Sequence, residues 1–126
     1  MPAQYVFRVS FHLAPSADVW VRPNEFRTVL RRPAAEPGDD GWLFFRDNLW
    51  RGEVNDREHA RWLAEDALGV PVDDVEFRSL RADQAYVDAL RDAIAADLAA
   101  FNADSVDEVV SKYLGSSIDV VEDPQA

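Results

Sequence analysis

The stretch "YVFRVSFHL", residues 5–13, decides the first half of the fold. Tyr5, Phe7, Val9, Phe11 and Leu13 alternate with Val6, Arg8, Ser10 and His12. Period two over nine residues is the mark of a strand with one buried face. Beyond it, "APSAD" (14–18) carries turn residues and "VWV" (19–21) resumes an extended run. Pro23 interrupts that run, so "PNEF" (23–26) reads as a bend before "RTVLRR" (27–32) continues as a strand. The segment "PAAEPGDDG" (33–41) is the plainest loop, and "WLFFR" (42–46) reads as a third, short apolar strand.

Helical signals follow. Asn55 with Glu58 three residues on has the spacing of a capping box, with Asp56 an alternative cap. That helix runs to Leu68 and stops at Gly69, with Pro71 just beyond. "DDVEFRSLR" (73–81) reads as a strand. A long helix from Asp83 to Phe101 lines Tyr86, Leu90, Ile94, Leu98 and Phe101 along one face. Ser105 and Glu108 form a second capping box, opening a helix that ends at Gly115, and "SSIDVV" (116–121) can add a short C-terminal strand. The order β-β-β-α-β-α-α predicts an α+β fold: a mainly antiparallel sheet of about four strands with helices packed on one face. At 126 residues, residues 1–126 form a single domain.

Composition bounds the setting. The chain carries 24 acidic and 13 basic residues, a formal charge of −11, and Lys112 is its only lysine. No cysteine is present, which excludes disulfides, thiolate metal sites and a cysteine nucleophile. No apolar run approaches the ~20 residues that span a bilayer, and the N-terminus lacks signal-peptide order, so a cytoplasmic protein is expected. High acidity with almost no lysine fits a halophilic cytoplasm, where the Debye length falls to about 3 Å and self-repulsion is screened. A GC-rich genome, which favours Arg, Ala and Asp, is the alternative source of the same bias.

The charge is uneven. Residues 1–63 hold nine arginines and nine acids, whereas residues 64–126 hold four basic and fifteen acidic residues, so the second half accounts for all of the −11. All four tryptophans (20, 42, 50 and 62) lie in the first half. Within it, Arg46, Arg51, Arg57 and Arg61 interleave with Trp50 and Trp62. Guanidinium groups pair bidentately with carboxylates and stack on aromatics, and Trp and Arg are the residue types that dominate binding hot spots. Arg46, Leu49, Trp50, Arg51, Arg57 and Trp62 are therefore the candidate binding residues. The competing reading places Trp50 in the core beneath the strand-to-helix turn, with Arg51 bridging to Asp47, Glu53 or the acidic half. On the first helix, His59, Trp62 and Asp66 fall on the face opposite Ala60, Leu63, Ala64, Ala67 and Leu68. They form a contact surface or a proton-handling cluster, or else a solvated flank with Trp62 tucked under the 33–41 loop.

No HExxH, GxSxG, Walker or GxGxxG pattern occurs, and neither His12 nor His59 has metal-ligand spacing. No catalytic residue, cofactor or metal site is assigned. The stretches "GWLFFRDNLWRGEVND" (41–56) and "FNADSVDEVVSKYLGSS" (101–117) resemble the small haloarchaeal family of LWR-salt proteins, named for the triplet that stands here as Leu49, Trp50 and Arg51. The resemblance covers nearly the whole chain. It implies a high-salt cytoplasm and carries no activity with it.

The function expected is thus a non-enzymatic interaction protein, using its Arg/Trp-rich surface for a protein partner or for a homodimer. The alternative is a small-molecule module in which arginines beside tryptophans clasp an anionic ligand or nucleotide. A small enzyme built on Asp47, Glu53, Asp56 and His59 is a third reading. Nucleic acid is disfavoured, because net charge opposes phosphate binding and counterion release yields little in molar salt.

Overall fold

The computed structural model describes residues 3–12 and 25–123. The first strand, β1 (Ala3–His12), buries Ala3, Tyr5, Phe7 and Val9 and leaves the alternate residues half-exposed. It pairs antiparallel with β2 (Glu25–Pro33) on one side and with β5 (Val72–Ala82) on the other. A short strand, β6 (Ile118–Val120), adds to β5 in parallel, and the sheet order is β2-β1-β5-β6. Between β2 and β5 lie α1 (Phe44–Asn48), the paired strands β3 (Leu49–Trp50) and β4 (Glu53–Val54), and α2 (Arg57–Leu68). After β5 come α3 (Gln84–Ala95), a 3₁₀ turn at Leu98–Phe101, and α4 (Val106–Tyr113). This is the α+β architecture expected, with a mostly antiparallel sheet and one core shared by the buried face and the helices. The "VWV" run and the Pro23 bend lie outside the described residues.

One strand is corrected. "WLFFR" is not the third strand: Phe44 to Asn48 form a five-residue helix, entered through tight turns at Glu36–Phe44. A short apolar run does not by itself separate strand from helix. Here the helix wins because its neighbouring aromatics must reach two surfaces. Phe44 meets Tyr5 and Phe7 on the sheet, with ring centroids 4.7 and 6.4 Å away, while Phe45 stacks on Phe101 at 5.7 Å. The fourth strand of the main sheet is β6 instead.

The caps follow the sequence closely. Of the two candidates, Asp56 caps α2, accepting the His59 backbone N–H at 3.1 Å. Asn55 serves α1: its amide donates to the Asp47 carbonyl and its backbone N–H to the Asn48 carbonyl, each at 3.0 Å. Ser105 caps α4 by accepting from the Glu108 N–H, while the Glu108 carboxylate reaches the N–H of Asp104. The long 83–101 helix is broken. It ends at Ala95, and the tighter turn that follows brings Phe101 against Trp42, Phe45 and Tyr113.

Candidate functional site

The candidate residues divide among separate places. Leu49 is fully buried in the core. Trp50 and Glu53 pair across β3 and β4, leaving Arg51 and Gly52 as a two-residue hairpin turn. Both have positive φ, +53° and +81°, the backbone that a type I′ turn requires. The turn is seated on the end of α4. The Arg51 N–H donates to the Lys112 carbonyl at 2.8 Å and the Gly52 N–H to the Tyr113 carbonyl at 3.0 Å. These are carbonyls that the last turn of a helix leaves without intrahelical partners. A Cβ on Gly52 would stand 3.1 Å from the Leu114 carbonyl oxygen, so the two backbones touch and only glycine fits without displacement.

Trp50 neither fills the core nor stands free. It is 44 % exposed, with its ring edge-on to Tyr113 at 5.9 Å and the cationic groups of Arg51 and Lys112 within 6 Å of its face. Lys112 also donates to the Phe101 carbonyl at 3.2 Å. The triplet therefore clamps α1 and the hairpin to the C-terminal end of α4. Among the described residues Arg51 bridges to none of Asp47, Glu53 or the acidic half. Arg46 pairs with Asp47 at 3.0 Å, and Arg57 lies 3.9 Å from Asp74 in an exposed, loose pair. No described contact joins Arg46, Arg57 and Trp62 to one another.

On α2, the face opposite the sheet is as its periodicity predicts. Trp62 is 60 % exposed, with His59 stacked on it at 6.0 Å and an interplanar angle of 18°. The 33–41 loop does not cover it. That loop is held elsewhere, where the Tyr86 hydroxyl donates to the Ala35 carbonyl at 2.7 Å. Burial, with a smaller effect of Glu36, pushes the Tyr86 pKa up to about 12. Tyr5, deep under the sheet, is also raised, chiefly by burial and secondarily by Tyr86. Neither hydroxyl is poised for chemistry near neutral pH. Among the described residues no group of three or more His, Cys, Asp or Glu side chains could hold a metal ion. His12 contacts Asp73 on the exposed end of β1.

The feature that periodicity did not expose is a cleft between α2 and β2 of about 230 Å³. Phe7, Leu30, Phe44, Leu63 and Val75 supply apolar wall, and Ala60, Ala64 and Ala67 supply the helix side. The cleft exists because those three alanines are small. A helix with leucines at these positions would fill the space above the outer strand. Arg31, Arg32, Pro33, Asn48, Val54 and Asp56 complete the lining. The Arg32 guanidinium stands over the Phe44 ring at 4.6 Å and pairs with no carboxylate among the described residues.

The chain belongs to the LWR-salt protein family, whose model matches residues 1–124. No curated protein and no solved structure matches it. The family is uncharacterised, so membership brings no activity. No helix among the described residues is long and apolar enough to cross a membrane.

Proposed function

We propose that this chain is a non-enzymatic binding protein of a high-salt cytoplasm, and that its binding site is the cleft between α2 and β2. The observation that carries the reading is the cleft's make-up: apolar walls on a fixed sheet and helix, with a carboxylate-free guanidinium among them. Binding sites are concave and mostly apolar, with a few polar groups that fix orientation. At about 230 Å³ the space is below the ≈ 300–1,000 Å³ of drug-sized sites, and its lining suits an apolar group better than a polyphosphate. The nucleotide version of the ligand reading is therefore the weaker one. Two of the carboxylates a small enzyme would use are engaged within the fold, Asp56 as the α2 cap and Asp47 in an exposed pair with Arg46. The high-salt setting draws its support from the −11 charge and the single lysine.

An anilinonaphthalene sulfonate dye, an aromatic anion whose fluorescence rises in apolar surroundings, tests the site. In molar KCl the wild type should bind it saturably, and Ala67→Trp, which fills the cleft from its rim, should not. Equal dye binding by the two proteins would sink the proposal.

A second reading, a contact surface for a protein partner or a second copy, is favoured by Trp62. A large indole stacked on His59 and open to solvent is the kind of anchor that interfaces use. Trp62→Ala should then abolish a concentration-dependent rise in solution mass, or the capture of one defined partner at molar KCl. If mass and captured proteins are the same with and without Trp62, this surface has no such role.

A further inference from the structure

We infer that the cleft takes a small aliphatic carboxylate, with the hydrocarbon chain between α2 and the sheet and the carboxylate on Arg32. The inference rests on the cleft being the binding site proposed above and names its ligand class. Its first support is a charge left over. The chain has 24 acidic side chains for 13 basic ones, yet Arg31 and Arg32, both lining the cleft, pair with no carboxylate among the described residues. Arg8, Arg27, Arg51, Arg61 and Arg81 also lack a carboxylate among the described residues, but of these seven only Arg31 and Arg32 line the cleft.

The second support is geometry. The Phe44 ring beneath Arg32 holds its guanidinium at the cleft by a cation–π contact at 4.6 Å. A guanidinium held over a ring face makes no hydrogen bond to it, so its N–H donors stay available for a planar acceptor, and a carboxylate matches that fork bidentately. Contact pairing of this kind persists in molar salt, where fields beyond about 3 Å are screened.

The third support is selectivity. Asp56 also lines the cleft, so a doubly charged phosphate headgroup would meet a carboxylate that a monoanion better tolerates. The remaining lining is largely hydrocarbon and aromatic, which rewards an alkyl chain and offers a sugar or base few polar partners.

The test titrates hexanoate and hexan-1-ol into wild type, Arg32→Gln and Ala67→Trp in molar KCl, following heat and backbone amide shifts. All three proteins are first shown to be folded by circular dichroism. Hexanoate should bind wild type saturably, and Arg32→Gln should weaken it by about tenfold or more, the worth of a charged hydrogen-bonded pair. Hexan-1-ol should bind wild type and Arg32→Gln alike, and Ala67→Trp should bind neither compound. If hexanoate binds Arg32→Gln as well as wild type, the carboxylate assignment is overturned while the cleft stands as a site. If neither compound binds wild type, both fall together.

Discussion

The Leu49–Gly52 turn and the α2–β2 cleft both join the Arg/Trp-rich half to the acidic half, and they are built in opposite ways. At the turn the backbone and Leu49 are committed: Leu49 is fully buried, two backbone N–H groups cap α4, and Gly52 lies against the Leu114 carbonyl. At the cleft, three alanines leave space and a guanidinium is left without a carboxylate. The conspicuous Leu49 and the Arg51–Gly52 backbone do structural work, whereas the inconspicuous alanines leave the space in which a ligand is proposed to sit. A motif can mark a family because the fold depends on it, with recognition placed elsewhere.

The comparison breaks first at Leu49. Leu49→Ala should destabilise the protein by roughly 2–5 kcal/mol, the range for deleting a fully buried leucine, measured by urea unfolding in molar KCl. A loss near zero would mean that the turn is not the anchor described. Gly52→Ala should cost about 1–3 kcal/mol, because its φ of +81° and the 3.1 Å approach to Leu114 both oppose a Cβ.

Trp50→Ala sharpens the contrast within the triplet. With the ring half-exposed against Tyr113, the expected loss is about 0.5–1.5 kcal/mol, the worth of an aromatic pair, well short of that for a core tryptophan. Trp62→Ala, on the cleft's helix but pointing away from it, should change stability by less than about 0.5 kcal/mol in the same assay.

A pH experiment separates the packed core from the open side. Burial raises the Tyr86 pKa from its ordinary 10.0 to about 12, so between those values the unfolded chain loses a proton that the folded one keeps. The stabilisation is fully present below pH 10.0 and is lost as pH rises through about 12. Tyr86→Phe should flatten that alkaline decline, at the cost of the hydrogen bond to Ala35 seen near neutral pH. An unchanged decline would assign it to other groups.

The fold was legible where pattern and chemistry agreed. Alternation in β1, Gly69 closing α2 and Ser105 opening α4 are local signals, and each stands where it was read. "WLFFR" misled because a short apolar run has no period, and its conformation is set by Tyr5, Phe7 and Phe101 from distant parts of the chain. The candidate site was less legible. Leu49, Trp50 and Arg51 stand out in the sequence, but the contacts their backbone makes depend on α4, more than fifty residues away. The cleft had one signal, the small residues Ala60, Ala64 and Ala67 on the inward face of α2, and its meaning depends on what β2 places opposite.

The most direct measurement is amide and indole shift mapping of the labelled protein in molar KCl during a hexanoate titration. Shifts concentrated at Leu30, Arg32, Ala60, Leu63 and Ala67, with Leu49–Gly52 and the Trp50 indole unmoved, are the result predicted. Shifts centred on Trp50 and Arg51, with the cleft silent, would return recognition to the triplet and contradict the division of labour described here.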